Sequence, residues 1–277
     1  MNSTRRDVLR ILGAAAVAGA VRAGRAEAPA ATAPPAGKRH IVTLSFDDGF
    51  KKSSIKTAEI YRKRGLAACL NVVATAGRKD FRPPDYPGVA RGDFSLWNEL
   101  QAAGHEIMPH GYRHANKRSL PLAEAKDLIQ RCLDVFAAEL KGFRAGESVF
   151  NFPYNASSPE LEKWLGERVR AFRTGGGAIN PLPHKAQVKL TCTSFGPGNC
   201  EEAIDREVAK LLARESGWLI FNTHGLDDEG WGPLRATYLE KLLDRLQGMQ
   251  GAAILPAGRA LAGQSSLPSP QRSRGRG

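Results

Sequence analysis

Residues 41–49 read IVTLSFDDG, an apolar and β-branched run that stops at two aspartates and a glycine. A short run of this kind, bounded by turn residues, predicts a strand buried on both faces. Comparable runs follow at residues 68–73, 105–108, 148–152, 169–173, 189–195, 218–222 and 252–255. Amphipathic segments that predict helices lie between them, at residues 54–64, 95–103, 121–140, 159–168, 201–215 and 234–246. This alternation predicts a parallel sheet, and about seven such units predict a closed or nearly closed α/β barrel.

The first 28 residues have the features of an export signal. Arg5 and Arg6 open a segment that resembles the twin-arginine signal, an Ala/Gly-rich apolar stretch follows, and a small-x-small tripeptide ends at Ala28. A short anchoring helix is the alternative, but the apolar stretch is too short to span a bilayer. We therefore expect an exported protein, in the periplasm or outside the cell, with no stable membrane insertion after signal cleavage.

Two stretches of biased composition flank the predicted barrel. Residues 29–37 are rich in Pro and Ala and predict a linker, and residues 264–277 are rich in Ser, Pro and Arg and predict a disordered tail. The barrel domain is therefore predicted over residues 38–263.

The charge of the chain bears on its partners. The formal net charge is +12, of which the first 28 and the last 14 residues carry +3 each. The remaining charges are interspersed and do not form the basic, aromatic-studded surface that nucleic-acid binding needs. This pattern argues against a nucleic-acid partner.

The four cysteines, Cys69, Cys132, Cys192 and Cys200, allow three disulfide pairings in an oxidising compartment. Cys192 and Cys200 are close in sequence. Cys69 and Cys132 lie in apolar contexts, for which a buried free thiol is the simpler interpretation.

Polar residues with catalytic or metal-binding chemistry follow four separate strands, at the ends that meet on one rim of such a barrel. These residues are Asp47, Asp48, His110, His114, Asn151, Tyr154 and His224. Taken singly, an Asp-Asp-Gly run is usually only a turn, and a lone histidine is usually structural. Together, two imidazoles and one carboxylate can hold zinc or a similar divalent ion. A second carboxylate can accept a proton from water, and a further histidine can protonate a leaving group.

Four motifs carry a resemblance to a known family. Residues 45–49 (SFDDG) match Thr-Phe-Asp-Asp-Gly, and residues 110–114 (HGYRH) match His-x-x-x-His. Residues 151–154 (NFPY) match Arg-x-Pro-Tyr without its arginine, and residues 222–224 (NTH) match Leu-x-His loosely. In this order and spacing, the chain resembles the polysaccharide deacetylases, carbohydrate esterases built on the nodulation-deacetylase homology domain, over about residues 38–256.

The resemblance implies a distorted (β/α)7 TIM-like barrel and a metal-dependent hydrolase that removes acetyl groups from an N- or O-acetylated carbohydrate. It implies that Asp47 is the general base and that His224 is the general acid. The Tyr154 backbone N–H would help to hold the oxyanion. A divalent metal, with zinc expected, would be bound by Asp48, His110 and His114.

One departure from the family pattern concerns the base. In the family the arginine of the third motif pairs with the base aspartate, and here Asn151 replaces it. This predicts a weaker, neutral hydrogen bond from Asn151 to Asp47, unless Arg173 or Arg144 supplies the missing charge. Trp231, in the loop after the last motif, could stack on a sugar ring or anchor its loop.

Two alternatives to this hydrolase stay open at the level of the sequence. One is a catalytically inactive barrel that binds glycans, which the retained set of acids and histidines disfavours. The other is a hydrolase of small amides on the same fold, which the export signal disfavours.

Overall fold

The computed structural model describes residues 39–82 and 85–263. The predicted signal segment (1–28), linker (29–37) and tail (264–277) lie outside these residues. Within the described ranges, no helix is both long enough and apolar enough to cross a membrane.

The described residues form nine β-strands. They are β1 (Arg39–Phe46), β2 (Cys69–Val72), β3 (Glu106–Pro109), β4 (Val149–Asn151), β5 (Ala171–Gly175), β6 (Ile179–Asn180), β7 (Lys189–Cys192), β8 (Ser216–Thr223) and β9 (Ala252–Ile254). The β-branched and aromatic residues of these runs suit the pleated, buried surface of a sheet. Most residues of these strands are buried.

Seven parallel strands form a ring in the order β1-β2-β3-β4-β5-β7-β8. β1 pairs with β8 along its whole length, with β9 at its start and with β2 at its end. Two looser joins complete the ring. The Val149 N–H of β4 donates to the Met108 sulfur of β3 at 3.4 Å, and the Asn222 N–H of β8 donates to the Thr193 carbonyl, just beyond β7, at 2.8 Å. The predicted α/β class and distorted (β/α)7 barrel are confirmed.

Seven α-helices alternate with these strands in the described part of the chain. They are α1 (Lys51–Arg62), α2 (Phe94–Ala102), α3 (Leu122–Glu139), α4 (Pro159–Gly166), α5 (Cys200–Leu212), α6 (Ala236–Gln247) and α7 (Ala257–Leu261). α6 shows why the pattern predicted helices, because its buried leucines recur at i, i+3, i+4 and i+7. α2 begins one residue before its predicted start and is capped by the Asp93 carboxylate, which accepts the Leu96 N–H.

Two short elements were not predicted. β6 has two residues, which is too short to show a period, and it pairs antiparallel with β8. α7 has five residues and begins after Pro256. The buried Glu106 carboxylate accepts the Gly258 and Arg259 N–H groups at its start, both at 3.0 Å.

The cysteines all lie in the described part of the barrel. Each of the four is buried and free. The structure therefore contains free thiols at Cys69 and Cys132, as expected, and no bridge between Cys192 and Cys200.

Candidate active site

Asp47 follows the last residue of β1 and is 2% exposed. Its Oδ1 accepts a hydrogen bond from Asn71 Nδ2 at 2.7 Å. Its Oδ2 accepts hydrogen bonds from the Arg173 guanidinium at 2.5 Å and from Asn222 Nδ2. Burial by itself would raise the pKa of Asp47, but Arg173, foremost among its neighbours, brings that pKa below its ordinary value. Asp47 is therefore a buried, ionised carboxylate held by three donors.

A closed ring of hydrogen bonds orients these groups. Arg173 Nε donates to Asn151 Oδ1 at 2.8 Å, and Asn151 Nδ2 donates to Asn71 Oδ1 at 2.9 Å. Asn71 Nδ2 and the Arg173 guanidinium then both donate to Asp47, one to each oxygen. Each amide is fixed in direction because its oxygen and its nitrogen both have a partner.

This ring of hydrogen bonds corrects the prediction for Asn151. Its amide does not bond Asp47, because the guanidinium of Arg173 lies between them. Asn151 on β4 and Arg173 on β5 are register partners, so the arginine reaches the base from the neighbouring strand. Arg144 plays no part, since its side chain is 73% exposed and pairs with Glu147. Of the two arginines considered, Arg173 is the one that supplies the charge.

Asp48 follows Asp47 directly and has a left-handed backbone, with φ of 73°. Asp48 Oδ1 lies 3.0 Å from His114 Nε2 and 3.4 Å from His110 Nε2. It is buried and makes no hydrogen bond with any described residue. Burial by itself would raise the pKa of Asp48, but the two imidazoles hold it well below its ordinary value.

The two histidines approach Asp48 from an irregular turn. Gly111 and His114 have positive φ values of 85° and 40°, and no helix connects the two imidazoles. His110 Nδ1 lies 3.0 Å from the Asn151 carbonyl oxygen, which leaves Nε2 free to face Asp48. Positive φ at a non-glycine residue costs energy and is concentrated at functional sites.

The three side chains fit a divalent metal. One ligand atom from each of Asp48, His110 and His114 lies within 4.8 Å of the others. Two imidazole nitrogens and one carboxylate oxygen are a common zinc donor set that leaves room for further ligands. The buried Asp48 oxygen, without a hydrogen-bond donor, gains a partner when a cation binds there. The residues present therefore suit the predicted metal.

A cavity of about 530 Å³ opens above these groups. Six of the seven predicted site residues line it, and the seventh, the buried Asn151, does not. The further lining residues are Asp85, Tyr86, Asn155, Ser194, Asn222 and Trp231. A concave site of this volume falls within the range of small-molecule binding sites.

His224 and Trp231 form the side of the cavity that follows β8. Their rings meet edge to face, with centroids 5.3 Å apart, and Trp231 is 38% exposed. Burial lowers the pKa of His224, although Asp48 and Asp47 oppose that shift. Tyr154 lines the same cavity with a left-handed backbone, φ 57°, and is 47% exposed.

Three polar residues that contact Asp47 or His114 were not predicted from the sequence. Asn71 and Asn222 are amides within otherwise apolar strands, and that signal could have identified them. Asp85 lies on the long segment between β2 and α2, where no pattern points to a site.

A model of the polysaccharide deacetylase family matches residues 35–195, more than half of the chain. The chain belongs to the polysaccharide deacetylase family. The predicted family is confirmed. The predicted activity, a hydrolase that removes acetyl groups from carbohydrates, is confirmed at the level of the family. No curated protein sequence matches this chain.

Solved structures share the fold of this polysaccharide deacetylase at low sequence identity. A candidate polysaccharide deacetylase from Mycobacterium smegmatis is similar with a TM-score of 0.65 and 13% identity, covering 83% of this chain and 92% of the other. The Xyl-CE4 domain of a multidomain xylanase from the hindgut metagenome of Trinervitermes trinervoides has a TM-score of 0.53 and 13% identity, covering 81% and 91%. A CE4 family pseudoenzyme from Bacillus anthracis has a TM-score of 0.52 and 14% identity, covering 83% and 68%. At these identities the likeness shows the fold alone.

Proposed function

We propose that this chain is an active, metal-dependent deacetylase whose substrate is an acetylated glycan. The observation that carries the proposal is the convergence of two acids and two imidazoles on one cavity. Asp48, His110 and His114 supply the metal ligands, and Asp47 lies beside them with His110 Nε2 3.5 Å from its Oδ2. A metal held there, with zinc as the proposed ion, would polarise the acetyl carbonyl and lower the pKa of a bound water.

Asp47 has the properties of a general base. Its two oxygens offer about four acceptor positions, and three of them receive hydrogen bonds from Asn71, Arg173 and Asn222. One acceptor position therefore remains for a water molecule in the cavity. The carboxylate is ionised and fixed, so it can take a proton without first changing its rotamer.

His224 and Tyr154 would act on the other atoms of the acetyl group. After Asp47 takes a proton from water, the hydroxide oxygen bonds to the acetyl carbon, and the carbonyl oxygen becomes negative. We assign the Tyr154 backbone N–H as a donor to that oxygen; losing one such donor typically costs about 3 kcal/mol. When the bond to the sugar nitrogen or oxygen breaks, His224 would protonate the leaving atom, giving acetate and the free amine or hydroxyl.

The second candidate function is a catalytically inactive barrel that binds glycans. The similar structure from Bacillus anthracis is described as a pseudoenzyme, so the fold alone does not distinguish the two functions. The geometry favours the enzyme. Asp47, Asp48, His110, His114 and His224 are present and line a single cavity.

Acetate release separates the two candidates. The metal-loaded protein is incubated with N-acetylated and O-acetylated oligosaccharides, and free acetate is measured for the wild type, Asp47→Asn and Asp244→Asn. Asp244 is an exposed carboxylate paired with Arg64, so its variant is the matched control. We expect release by the wild type and the control and a loss of at least about 10²-fold for Asp47→Asn. Glycan binding without acetate release by the wild type would favour the inactive barrel.

We also propose that the chain is exported by the twin-arginine route. The support is the pattern of residues 1–28, which lie outside the described structure. Replacing Arg5 and Arg6 by Lys should leave the precursor in the cytoplasm, as measured by cell fractionation. Normal export of that double variant would contradict the route.

A further inference from the structure

The two imidazoles of the candidate metal site have different outer partners. Both direct Nε2 toward Asp48, so Nδ1 is the remote nitrogen in each ring. His110 Nδ1 lies 3.0 Å from the Asn151 carbonyl oxygen, on β4 of the barrel. His114 Nδ1 lies 3.4 Å from Asp85 Oδ2, on the segment between β2 and α2. A metal-binding histidine usually donates its remote N–H to a carbonyl or a carboxylate, which orients the ring and raises its basicity.

Asp85 is itself held in place. The Tyr154 hydroxyl donates to the same Oδ2 at 2.6 Å, and the Tyr154 ring packs on the His114 ring with centroids 4.6 Å apart. His114 and Tyr154 both have left-handed backbones, so the two rings meet in a constrained arrangement. One oxygen of this carboxylate therefore accepts the phenol hydrogen and lies 3.4 Å from the Nδ1 atom of a predicted metal ligand.

We propose that Asp85 is a positioning residue for the metal, acting through His114, and that the Tyr154 hydroxyl fixes Asp85 for this role. The inference rests on the metal site proposed above and adds a residue that is not one of its three ligands. An exposed ion pair alone contributes little, and the Asp85 side chain is 44% exposed. The contribution of Asp85 to metal binding arises because a carboxylate beside Nδ1 of His114 keeps the proton on that nitrogen. The Nε2 lone pair is then available to a cation.

The inference predicts how metal affinity depends on two groups outside the ligand set. Loss of an outer partner of a metal-binding histidine typically weakens binding by about 10–100-fold. We expect this loss for Asp85→Asn, with one ion per chain retained at saturation. Tyr154→Phe removes only the hydroxyl that holds Asp85, so its loss should be smaller. Asp80→Asn is the matched control, because Asp80 is an exposed acid on the same segment.

The experiment is a competition titration of the metal-free, full-length chain with Zn²⁺ and a chelator, followed by the visible absorption of the Co²⁺ form. Asp85→Asn should bind Zn²⁺ about 10–100-fold more weakly and shift the Co²⁺ absorption, whereas Asp80→Asn should match the wild type. Urea unfolding of the metal-free variants separates positioning from general destabilisation. Asp85→Asn and Asp80→Asn should unfold at the same urea concentration.

Three results would overturn the inference. Wild-type affinity in Asp85→Asn would show that the carboxylate does not act through His114 and would leave the proposed function intact. Complete loss of the ion in that variant would make Asp85 a direct ligand. No Zn²⁺ binding by the wild type would reject the proposed metal site itself and the inference with it.

Discussion

Replacing Arg173 by Met would remove the one guanidinium that contacts Asp47 in the described structure. Methionine keeps an unbranched apolar stem of similar shape but donates no hydrogen bond. Asp47 would keep Asn71 and Asn222 as neutral donors and would lose its only cationic one. Asn151 Oδ1 would lose the donor that it has in Arg173 Nε.

The magnitude follows from burial. Asp47 and Arg173 side chains are both 1% exposed, with 2.5 Å between the guanidinium nitrogen and the carboxylate oxygen. Removing one partner of a buried, hydrogen-bonded pair typically costs about 3–5 kcal/mol, because the remaining charge is left buried and uncompensated. The base would also be less firmly held, and a displacement of about 1 Å can reduce kcat/KM by about 10²-fold.

Urea unfolding and acetate release measure the two effects. Arg144→Met is the control, because its exposed pair with Glu147 should contribute less than about 1 kcal/mol. The double variant Asp47→Asn/Arg173→Met should unfold closer to the wild type than Arg173→Met does, since no unpaired charge remains. Equal unfolding free energies and equal kcat/KM for Arg173→Met and Arg144→Met would refute the role of the buried pair.

The other predictions concern Asn151, Lys117 and Trp231. Asn151→Arg should lower both kcat/KM and the unfolding free energy, because the new guanidinium meets that of Arg173. The double variant Asn151→Arg/Arg173→Asn should recover part of both quantities. A single variant as active as the wild type would contradict this prediction. Burial lowers the pKa of Lys117 from 10.5 to about 8. Between pH 8 and pH 10.5 the unfolded chain therefore binds more protons than the folded chain. The unfolding free energy of the wild type should therefore rise by about 3 kcal/mol from pH 8 to pH 10.5 relative to Lys117→Met, and a constant difference would contradict this. Trp231→Ala should raise KM for oligosaccharides by about 2–10-fold with kcat kept if the ring stacks on sugar, whereas lower stability with unchanged KM would make it a loop anchor.

Much of the fold could be predicted because the barrel repeats one local pattern. Each ring strand is a short buried run, and six helices carry an apolar stripe, so the ends of these helices were predicted to within three residues. β6 and α7 could not be predicted, since two and five residues are too few to show a period. Their positions depend on contacts across the barrel, such as the Glu106 carboxylate at the start of α7.

The site was predictable where a residue type carries chemistry at a strand end. Asp48, His110 and His114 met this condition, and the structure places them together. The source of the charge beside the base was open, because Asn151 and Arg173 become neighbours only through the register of β4 with β5. That register is a property of the folded sheet and not of either strand.

The central claim is that acetate release requires a metal bound by Asp48, His110 and His114. Metal removal and return test this claim most directly. The chain is stripped with a chelator, a divalent ion is returned in measured steps, and acetate release from an acetylated oligosaccharide is followed together with bound metal. We predict no release without metal, recovery that saturates at one ion per chain, and neither binding nor release by His114→Ala. Full acetate release by the stripped protein, or full metal occupancy in His114→Ala, would contradict the account.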